Sequence, residues 1–377
     1  MSGGRSAPLD ALRGLAVLAV LGVHLESAGA GGPRTRAVLA LWEAHGWVGV
    51  DLFFVLSGFL IGSLLIRERE QTGAVRVGRF LLRRGFKIYP LYYTMLLWTM
   101  LPLGVVGSPV PLPVILSEAL FVQNYGPSLY PVTWSLAIEE HFYLLFAGAI
   151  WLARGRRWTA HVLPVAVGLA LAVLAVRGVT VILLPAEQWP MHATHTRLDA
   201  LLWGVAIAAA VIRWPDRTRS FVRTWRWALV AAGVALPAGV LALPEYHPLG
   251  YTLGLTALAW GAGALVLLAV HAPFGPWGNW WVRPLARVGG ASYAIYLWQV
   301  PVRRWGGSLA AALTGIETPT LGGLLLYVVG SVAVGWLMTF AVERPFLRLR
   351  DGRYHGTSRM PTEFRPPRPQ LDPVPVP

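Results

Sequence analysis

Long apolar stretches follow one another along almost the whole of this 377-residue chain. A helix needs about 20 mostly apolar residues to cross the hydrocarbon core of a bilayer, and only helices or closed barrels satisfy their backbone hydrogen bonds there. Ten stretches approach this length, at residues 11–28, 47–66, 88–107, 134–153, 160–184, 198–213, 227–244, 250–271, 288–305 and 320–342. The pattern predicts an all-α integral membrane protein, built as a bundle of about ten transmembrane helices.

The composition excludes several other classes of protein. Hydrophobic residues make up 55% of the chain and charged residues 13%, whereas an ordinary soluble domain has about 25% charged residues. The chain contains no cysteine, which excludes disulfides, thiolate metal sites and cysteine nucleophiles. Any catalysis must therefore use oxygen or imidazole groups.

The lysine and arginine residues are concentrated on one side of the predicted bundle. If the N-terminus is cytoplasmic, 26 of the 32 fall in cytoplasmic loops and tails, which is the charge bias typical of membrane proteins. This asymmetry predicts that both termini are cytoplasmic in a multi-pass protein of the cell membrane, meaning the plasma or inner membrane. The cations of the cytoplasmic loops also explain most of the net charge of +14, because such loops face the anionic headgroups of membrane lipids. We therefore predict contacts with membrane lipids and no nucleic-acid partner.

The chain divides into a membrane domain and a tail. Residues 1–350 hold all the predicted spans, and the first span is too polar to be a cleaved signal peptide. Residues 351–377 are rich in proline and are predicted to form a disordered cytoplasmic tail. The apolar stretch 113–123 is too short to cross a bilayer, so we predict a re-entrant or surface helix there.

Two polar residues lie on one face of the first span. Arg13 and His24 are eleven residues apart, which on a helix gives about three full rotations and ~16 Å of rise. Arg13 is predicted near the cytoplasmic end and His24 in the outer half. Taken alone, each has an ordinary explanation, because an arginine can reach lipid headgroups and a histidine can hydrogen-bond to another helix.

Carboxylates in three other spans are predicted at the depth of this histidine. Asp51, Glu139, Glu140 and Asp199 all follow closely after their spans enter from the outer side. One of them could orient the imidazole, whose other ring nitrogen would accept a proton from a hydroxyl. Adjacent helical residues point about 100° apart, so the pair at 139 and 140 should not share one pocket, and we favour Glu139. The alternative is an interhelical salt-bridge network that includes Arg197.

A basic cluster at the start of the third span is a candidate phosphate site. Arg83, Arg84 and Lys87 lie there, and guanidinium groups suit phosphate oxygens because they donate two parallel hydrogen bonds. Ordinary topology anchoring is the alternative. His192 and His195 could contact a zinc ion, but no third ligand is evident, so we predict no metal.

Seven segments in order make this chain recognisable. They are LDALRGLAVLAVLGVH, GVDLFFVLSGFLIG, RRGFKIYPLYY, TWSLAIEEHFYLL, RLDALLWG, GGASYAIYLWQVP and ERPF. With these segments the chain resembles the membrane acyltransferase-3 family of ten-span O-acyltransferases, whose members acylate surface polysaccharides, lipopolysaccharide, peptidoglycan and, in some cases, macrolide antibiotics. Lys87 stands where the family commonly has arginine, and His141 and Gln299 also depart from its pattern, which affects the expected acceptor preference.

The resemblance implies an acyltransferase domain over residues 1–350, with acyl-CoA, acetyl-CoA in the first instance, arriving from the cytoplasm as donor substrate. No permanently bound cofactor is expected. The phosphates would contact the cations Arg13, Arg83, Arg84 and Lys87, and the pantetheine arm would extend toward His24. The acceptor would be a hydroxyl of a carbohydrate or a secondary metabolite such as a macrolide, in contact with Arg197, Asp199 and Tyr296.

In the predicted reaction, His24 acts as general base on the acceptor hydroxyl, and Asp51, Glu139 or Glu140 assists it. Direct transfer is the simplest route; a two-step route through an acylated side chain stays open, although Ser57 is interpreted as a small packing residue. A proton-coupled transporter or flippase is the main alternative, because intramembrane carboxylates beside a histidine also suit proton coupling. A catalytically silent acceptor-binding homologue is a third possibility.

Overall fold

The structure, a computed structural model, describes residues 6–25, 30–105, 107–153, 158–244, 246–271, 278–306 and 320–353. All regular structure within these ranges is helical, without a single strand. The predicted all-α fold class is therefore confirmed. Of the predicted tail, only residues 351–353 fall within the described ranges, and they end the last helix.

The helices are numbered in chain order. Helices α1 to α7 are Ala7–Gly22, Pro33–His45, Val48–Thr72, Val77–Val105, Leu112–Ala119, Trp134–Leu152 and Val162–Leu183. Helices α8 to α15 are Thr194–Arg213, Pro215–Thr224, Arg226–Leu241, Leu255–His271, Gly278–Gly290, Ser292–Pro301, Leu321–Met338 and Arg344–Arg353. Three π-helical turns, at Gly250–Gly254, Val302–Gly306 and Thr339–Glu343, adjoin α11, α13 and α14.

Six helical segments in the described part of the chain are long and apolar enough to cross a membrane. They are Val48–Thr72, Pro131–Leu152, Val162–Leu183, Thr194–Arg213, Gly250–His271 and Leu321–Arg353. A seventh is possible if α9 and α10, which meet at a bend of 77°, count as one broken span. The protein is thus a multi-span membrane protein by helix length and composition, as the apolar pattern predicts.

Four predicted spans are absent from the set of six. The span at 227–244 falls on α10, which belongs to the bent pair, and the other three are absent for different reasons. The span at 11–28 falls on α1, which ends at Gly22, and residues 26–29 lie outside the described ranges. The span at 88–107 falls on α4 and on residue 106, which is also outside them. The span at 288–305 is divided between α12 and α13, which meet at Ala291. The count of ten therefore stays a prediction.

Helices α3 and α8 pack backbone against backbone at the centre of the bundle. A Cβ atom on Gly58 would overlap the carbonyl of Leu201, and one on Gly204 would overlap the carbonyl of Val55. Small residues allow membrane helices to approach closely because lipid supplies little hydrophobic drive for association. This contact fixes the position of α3, whose opposite face carries the candidate site described below.

We expect Gly58→Leu to destabilise the protein, because the new side chain must push α8 away from α3. Overpacking of this kind costs about 1–3 kcal/mol, and thermal unfolding in detergent would show it as a lower midpoint. Gly168→Leu is the matched control, since no atom lies within 4 Å of a Cβ built there. Equal midpoints for the two variants would contradict the close packing of α3 and α8.

Candidate functional site

A cavity of about 90 Å³ lies among α1, α3, α4, α6 and α13. Its walls combine apolar side chains with a dense set of polar ones: Arg13, Ser57, Arg84, Lys87, Ser135, Glu139, Glu140, Tyr143, Ser292, Tyr293 and Tyr296. Charged groups are costly inside a membrane protein and usually mark a functional site. The cavity is therefore the candidate functional site of this fold.

Glu139 is held in place by two hydroxyl groups. Tyr143, one helical turn further along α6, donates a hydrogen bond of 2.5 Å to Glu139 Oε2, and Ser57 Oγ lies 3.4 Å from the same oxygen. Ser57 Oγ is also 2.9 Å from the Tyr143 hydroxyl. Since the single Tyr143 proton goes to Glu139, the Ser57 proton must point toward this pair. The lone pairs of Ser57 are then left for the cavity.

Glu140 differs from its neighbour because one of its oxygens has no partner. Tyr89 donates a hydrogen bond of 3.1 Å to Glu140 Oε2, whereas Oε1 is buried and unpaired. Both glutamates line the cavity, so the expectation that only one of them could do so is wrong. The cavity extends around α6 toward α3 on one side and α4 on the other, and side chains 100° apart both reach it.

The predicted phosphate-binding cations separate into two groups. Arg13, Arg84 and Lys87 line the cavity, and the Arg84 guanidinium lies 5.3 Å from the centre of the Tyr143 ring. Arg83 lies outside the cavity lining, where Arg79 and Arg350 are its like-charged neighbours. Lys87 forms an ion pair with Glu343, which is almost fully buried.

His24 lies beyond the cavity, past the end of α1. Its backbone carbonyl accepts a hydrogen bond of 3.2 Å from Arg303 Nη1. Among the described residues, no carboxylate is within hydrogen-bonding distance of the imidazole, so the predicted contact with Asp51 or Glu139 does not form. Glu139 and Glu140 share the cavity with Arg13, toward the other end of α1 from His24. These two carboxylates therefore lie deeper in the bundle than their positions in the apolar stretch predict.

Asp51 and Asp199 each pair with an arginine. Asp51 Oδ1 accepts a 2.9 Å hydrogen bond from Arg197, and both groups are buried. Asp199 accepts two bonds, of 2.9 and 2.7 Å, from the fully buried Arg177. The structure thus forms the interhelical salt-bridge network that the sequence offered as the alternative. Two of the predicted acceptor-binding residues, Arg197 and Asp199, belong to this network.

Tyr296, the third predicted acceptor-binding residue, does line the cavity. Its hydroxyl donates to the carbonyl of Val132 at 2.7 Å and lies 2.6 Å from Ser135 Oγ. These contacts join α13 to the start of α6. They place a hydroxyl pair at the end of the cavity opposite Ser57.

The histidines near the start of α8 contact aromatic residues. The ring of His192 lies 4.5 Å from that of Trp134, and His195 Nδ1 lies 3.0 Å from the Tyr125 hydroxyl. Burial, with a smaller contribution from nearby Arg197, lowers the pKa of His192, which lies in the loop before α8. No cluster of three or more histidine or carboxylate side chains suited to a metal ion occurs within the described ranges.

The sequence places Tyr143 on the same side of α6 as Glu139, because residues four apart share a helix face, and it interprets Ser57 as a packing residue, whereas Ser57 lines the cavity. Tyr89 and Glu343 were missed, since their partners are on other helices. Glu118 was also missed; it is fully buried on α5 and accepts a 2.5 Å hydrogen bond from Tyr92.

Comparison with known proteins agrees with this architecture. The acyltransferase domain family matches residues 7–340. Peptidoglycan O-acetyltransferase OatA of Listeria monocytogenes is 28% identical over 367 residues, which cover 89% of this chain and 55% of that protein. YrhL of Bacillus subtilis is 29% identical over 371 residues, 89% of this chain and 54% of that protein. O-acetyltransferase OatA of Staphylococcus aureus is 26% identical over 318 residues, 78% and 50% of the two chains.

The chain spans about half the length of these curated relatives. No solved structure matches it. The family match nevertheless covers almost all of the described helices, including every helix that lines the cavity. The chain therefore belongs to the membrane acyltransferase-3 family.

Proposed function

We propose that this protein is a membrane O-acyltransferase that transfers an acyl group, in the first instance acetyl, from acyl-CoA to a hydroxyl. The observation that carries the proposal is the cavity, which is lined by three cationic side chains and by Glu140, a residue with one unpaired carboxylate oxygen. Cations suit an anionic donor and a developing thiolate. A free carboxylate oxygen suits a hydroxyl that must lose its proton.

The donor would enter from the side where α1 begins, which the charge bias of the loops assigns to the cytoplasm. In this arrangement the bundle has ten spans and both termini are cytoplasmic, in the cell membrane. Arg13 and Arg84 bind the thioester end of the donor, and Arg83, with its cationic neighbours Arg79 and Arg350, adds to the positive charge that attracts the donor phosphates. Lys87 contributes through its ion pair with Glu343, which holds α4 against the end of α14.

The acceptor would enter from the opposite end, past Tyr296 and Ser135. The relatives include proteins named peptidoglycan O-acetyltransferases, so a glycan hydroxyl is the first acceptor class to test, and a secondary metabolite such as a macrolide is the second. His24 follows the end of α1, roughly 16 Å from the level of Arg13 by helical rise, on the acceptor side. We propose that His24 contacts the acceptor there, while Arg197, Asp51 and Asp199 fix the helices that frame this entrance.

The reaction is a single displacement at the thioester carbonyl. The acceptor oxygen forms a bond to the carbonyl carbon, the carbon–sulfur bond breaks, and the hydroxyl proton moves to Glu140 Oε1. Arg13 and Arg84 stabilise the oxyanion and then the CoA thiolate, which takes up the proton when it leaves. Glu139, fixed by Tyr143 and Ser57, keeps Arg84 in position and partly balances its charge.

Acetyl transfer by the purified protein is the direct test of this proposal. We expect protein in nanodiscs with radiolabelled acetyl-CoA to release CoA and form an acetyl ester in equal amounts when a muropeptide or macrolide acceptor is present. The measurement is thiol release together with mass spectrometry of the acceptor. Proton-coupled flux in proteoliposomes, without CoA release for any acceptor, would instead support the transporter hypothesis.

A further inference from the structure

A second, larger cavity lies on the side of the bundle where α1 begins. Its volume is about 620 Å³, and its walls come from the end of α3, the start of α4, the end of α6 and Trp158. Two indole rings, Trp151 and Trp158, and two guanidinium side chains, Arg69 and Arg76, contribute to it. We call it the basal groove.

The basal groove lies directly below the candidate active cavity, because three helices line both. Arg84 in the cavity and Gly78 in the groove are six residues apart on α4, which gives a rise of ~9 Å. Tyr143 and Trp151 are eight residues apart on α6, or ~12 Å. The two spaces are therefore stacked along the same helices, about 9–12 Å apart by these two measures.

The two spaces differ in what they can hold. Small-molecule sites usually have volumes of roughly 300–1,000 Å³, so the basal groove can hold a nucleotide and the upper cavity of about 90 Å³ cannot. Indole rings stack on planar bases, and guanidinium groups bind phosphate oxygens in pairs. The combination in the groove suits a purine nucleotide with phosphates.

Local hydrogen bonds hold the connection between α3 and α4 in a defined shape beside the groove. Glu68 Oε1 accepts a hydrogen bond of 3.2 Å from the backbone N–H of Arg76. The Thr72 hydroxyl lies 2.8 Å from the carbonyl of Glu68 and 2.7 Å from that of Ala74, and Gly73 has the positive φ of 71° that ends α3. Arg76 is thus presented to the groove by an ordered turn.

We propose that the basal groove binds the phosphorylated ADP part of acyl-CoA, with its base against the indole rings and its phosphates on Arg76 and Arg69. The pantetheine arm, roughly 16 Å when extended over its dozen single bonds, would then follow α4 and α6 upward. It places the thioester at the level of Ser57, Glu139 and Glu140. This assignment rests on the proposed acyl-CoA-dependent function and adds to it the location of the nucleotide.

A truncated donor isolates the contribution of the groove. S-acetylpantetheine carries the thioester without the nucleotide. Wild-type protein should therefore show a much lower KM for acetyl-CoA than for S-acetylpantetheine. We expect Arg76→Ala and Trp158→Ala each to raise the KM for acetyl-CoA about tenfold, equivalent to the ~1.4 kcal/mol of one good contact. The KM for S-acetylpantetheine and both kcat values should stay unchanged. Arg219→Ala and Trp227→Ala, which change exposed side chains outside the lining of the groove, are the matched controls.

Three outcomes would overturn the assignment. The first is an unchanged KM for acetyl-CoA in both groove variants, and the second is an equal rise for both donors, which would indicate a general distortion. The third is loss of co-purified anionic phospholipid from the variants with no change in donor KM, which would make the groove a lipid-headgroup site. Calorimetric titration with CoA gives a readout independent of turnover. Wild-type protein that binds CoA through the groove but transfers no acetyl group would contradict the proposed function while supporting this site.

Discussion

Glu140→Gln is expected to lower the kcat of acyl transfer by a factor on the order of 10²–10⁴, the usual contribution of a general base. Glu140 Oε1 is the buried carboxylate oxygen of the cavity that lacks a partner, so it can take the acceptor proton without breaking an existing bond. Glutamine keeps the shape of the side chain but cannot accept that proton. The KM for acyl-CoA should change little, because Arg13 and Arg84 remain in place.

Two further variants identify which group takes the proton. Tyr89→Phe removes the hydroxyl on Glu140 Oε2 and leaves Oε1 free, so a loss of about tenfold or less is expected, since one hydrogen bond contributes roughly 1 kcal/mol. His24→Ala should abolish transfer to the acceptor but preserve slow hydrolysis of acetyl-CoA, because His24 lies outside the cavity. If Glu140→Gln kept full activity while His24→Ala lost hydrolysis as well, the imidazole would be the proton acceptor and our assignment would be wrong.

The grouping of Arg13 with Arg84 and Lys87 was predictable from sequence, but the position of Glu139 and Glu140 beside these cations was not. Arg13, Arg84, Lys87 and Tyr296 were identified from charges inside apolar stretches or from matching segments. Helical rise gives the depth of a residue relative to its own helix, but not the vertical offset between helices. The carboxylates of α6 were therefore expected beside His24, whereas Tyr89 and Arg84 show that they lie lower.

Ion-pair partners were still harder to predict. Asp51 and Arg197 are 146 positions apart in the chain, and nothing in a single apolar pattern indicates which opposite charge meets which. The sequence assigned no site role to Arg177, although it is the most completely buried arginine of the network. Its role follows only from the packing of α7 against α8.

The length of the apolar stretches predicted the spans well where the helices are continuous, and less well where the helices bend or break. The segments at 47–66, 160–184 and 198–213 correspond to α3, α7 and α8 with small shifts at the ends. A hydropathy window cannot detect the 77° bend between α9 and α10 or the break at Ala291. The bend lies at Trp225, between the charged helix α9 and the apolar helix α10, and the break at Ala291 lies inside the predicted span 288–305.

Arg177→Ala is expected to cause the largest loss of stability of any single change proposed for this protein. The guanidinium is fully buried and makes four hydrogen bonds, two to Asp199, one to the carbonyl of Thr196 and one to Thr256 Oγ1. Removing one partner of a buried pair costs about 3–5 kcal/mol, because the other charge is left without compensation. Thermal unfolding in detergent should show a lower midpoint, and the expression level should fall.

Two controls show whether the stability lost in Arg177→Ala comes from the buried ion pair. One changes an exposed ion pair, and the other replaces both partners of the buried pair. Arg219 and Asp216 form an ion pair of 3.2 Å on α9 with both side chains exposed, so Arg219→Ala should cost at most ~1 kcal/mol. Replacing both buried partners, as in Arg177→Met with Asp199→Leu, should recover much of the lost stability, since well-packed apolar groups can substitute for a buried pair. If the double variant were as unstable as Arg177→Ala, the cost would come from lost packing or from Thr256 and Thr196, and the unpaired carboxylate of Asp199 would not be its cause.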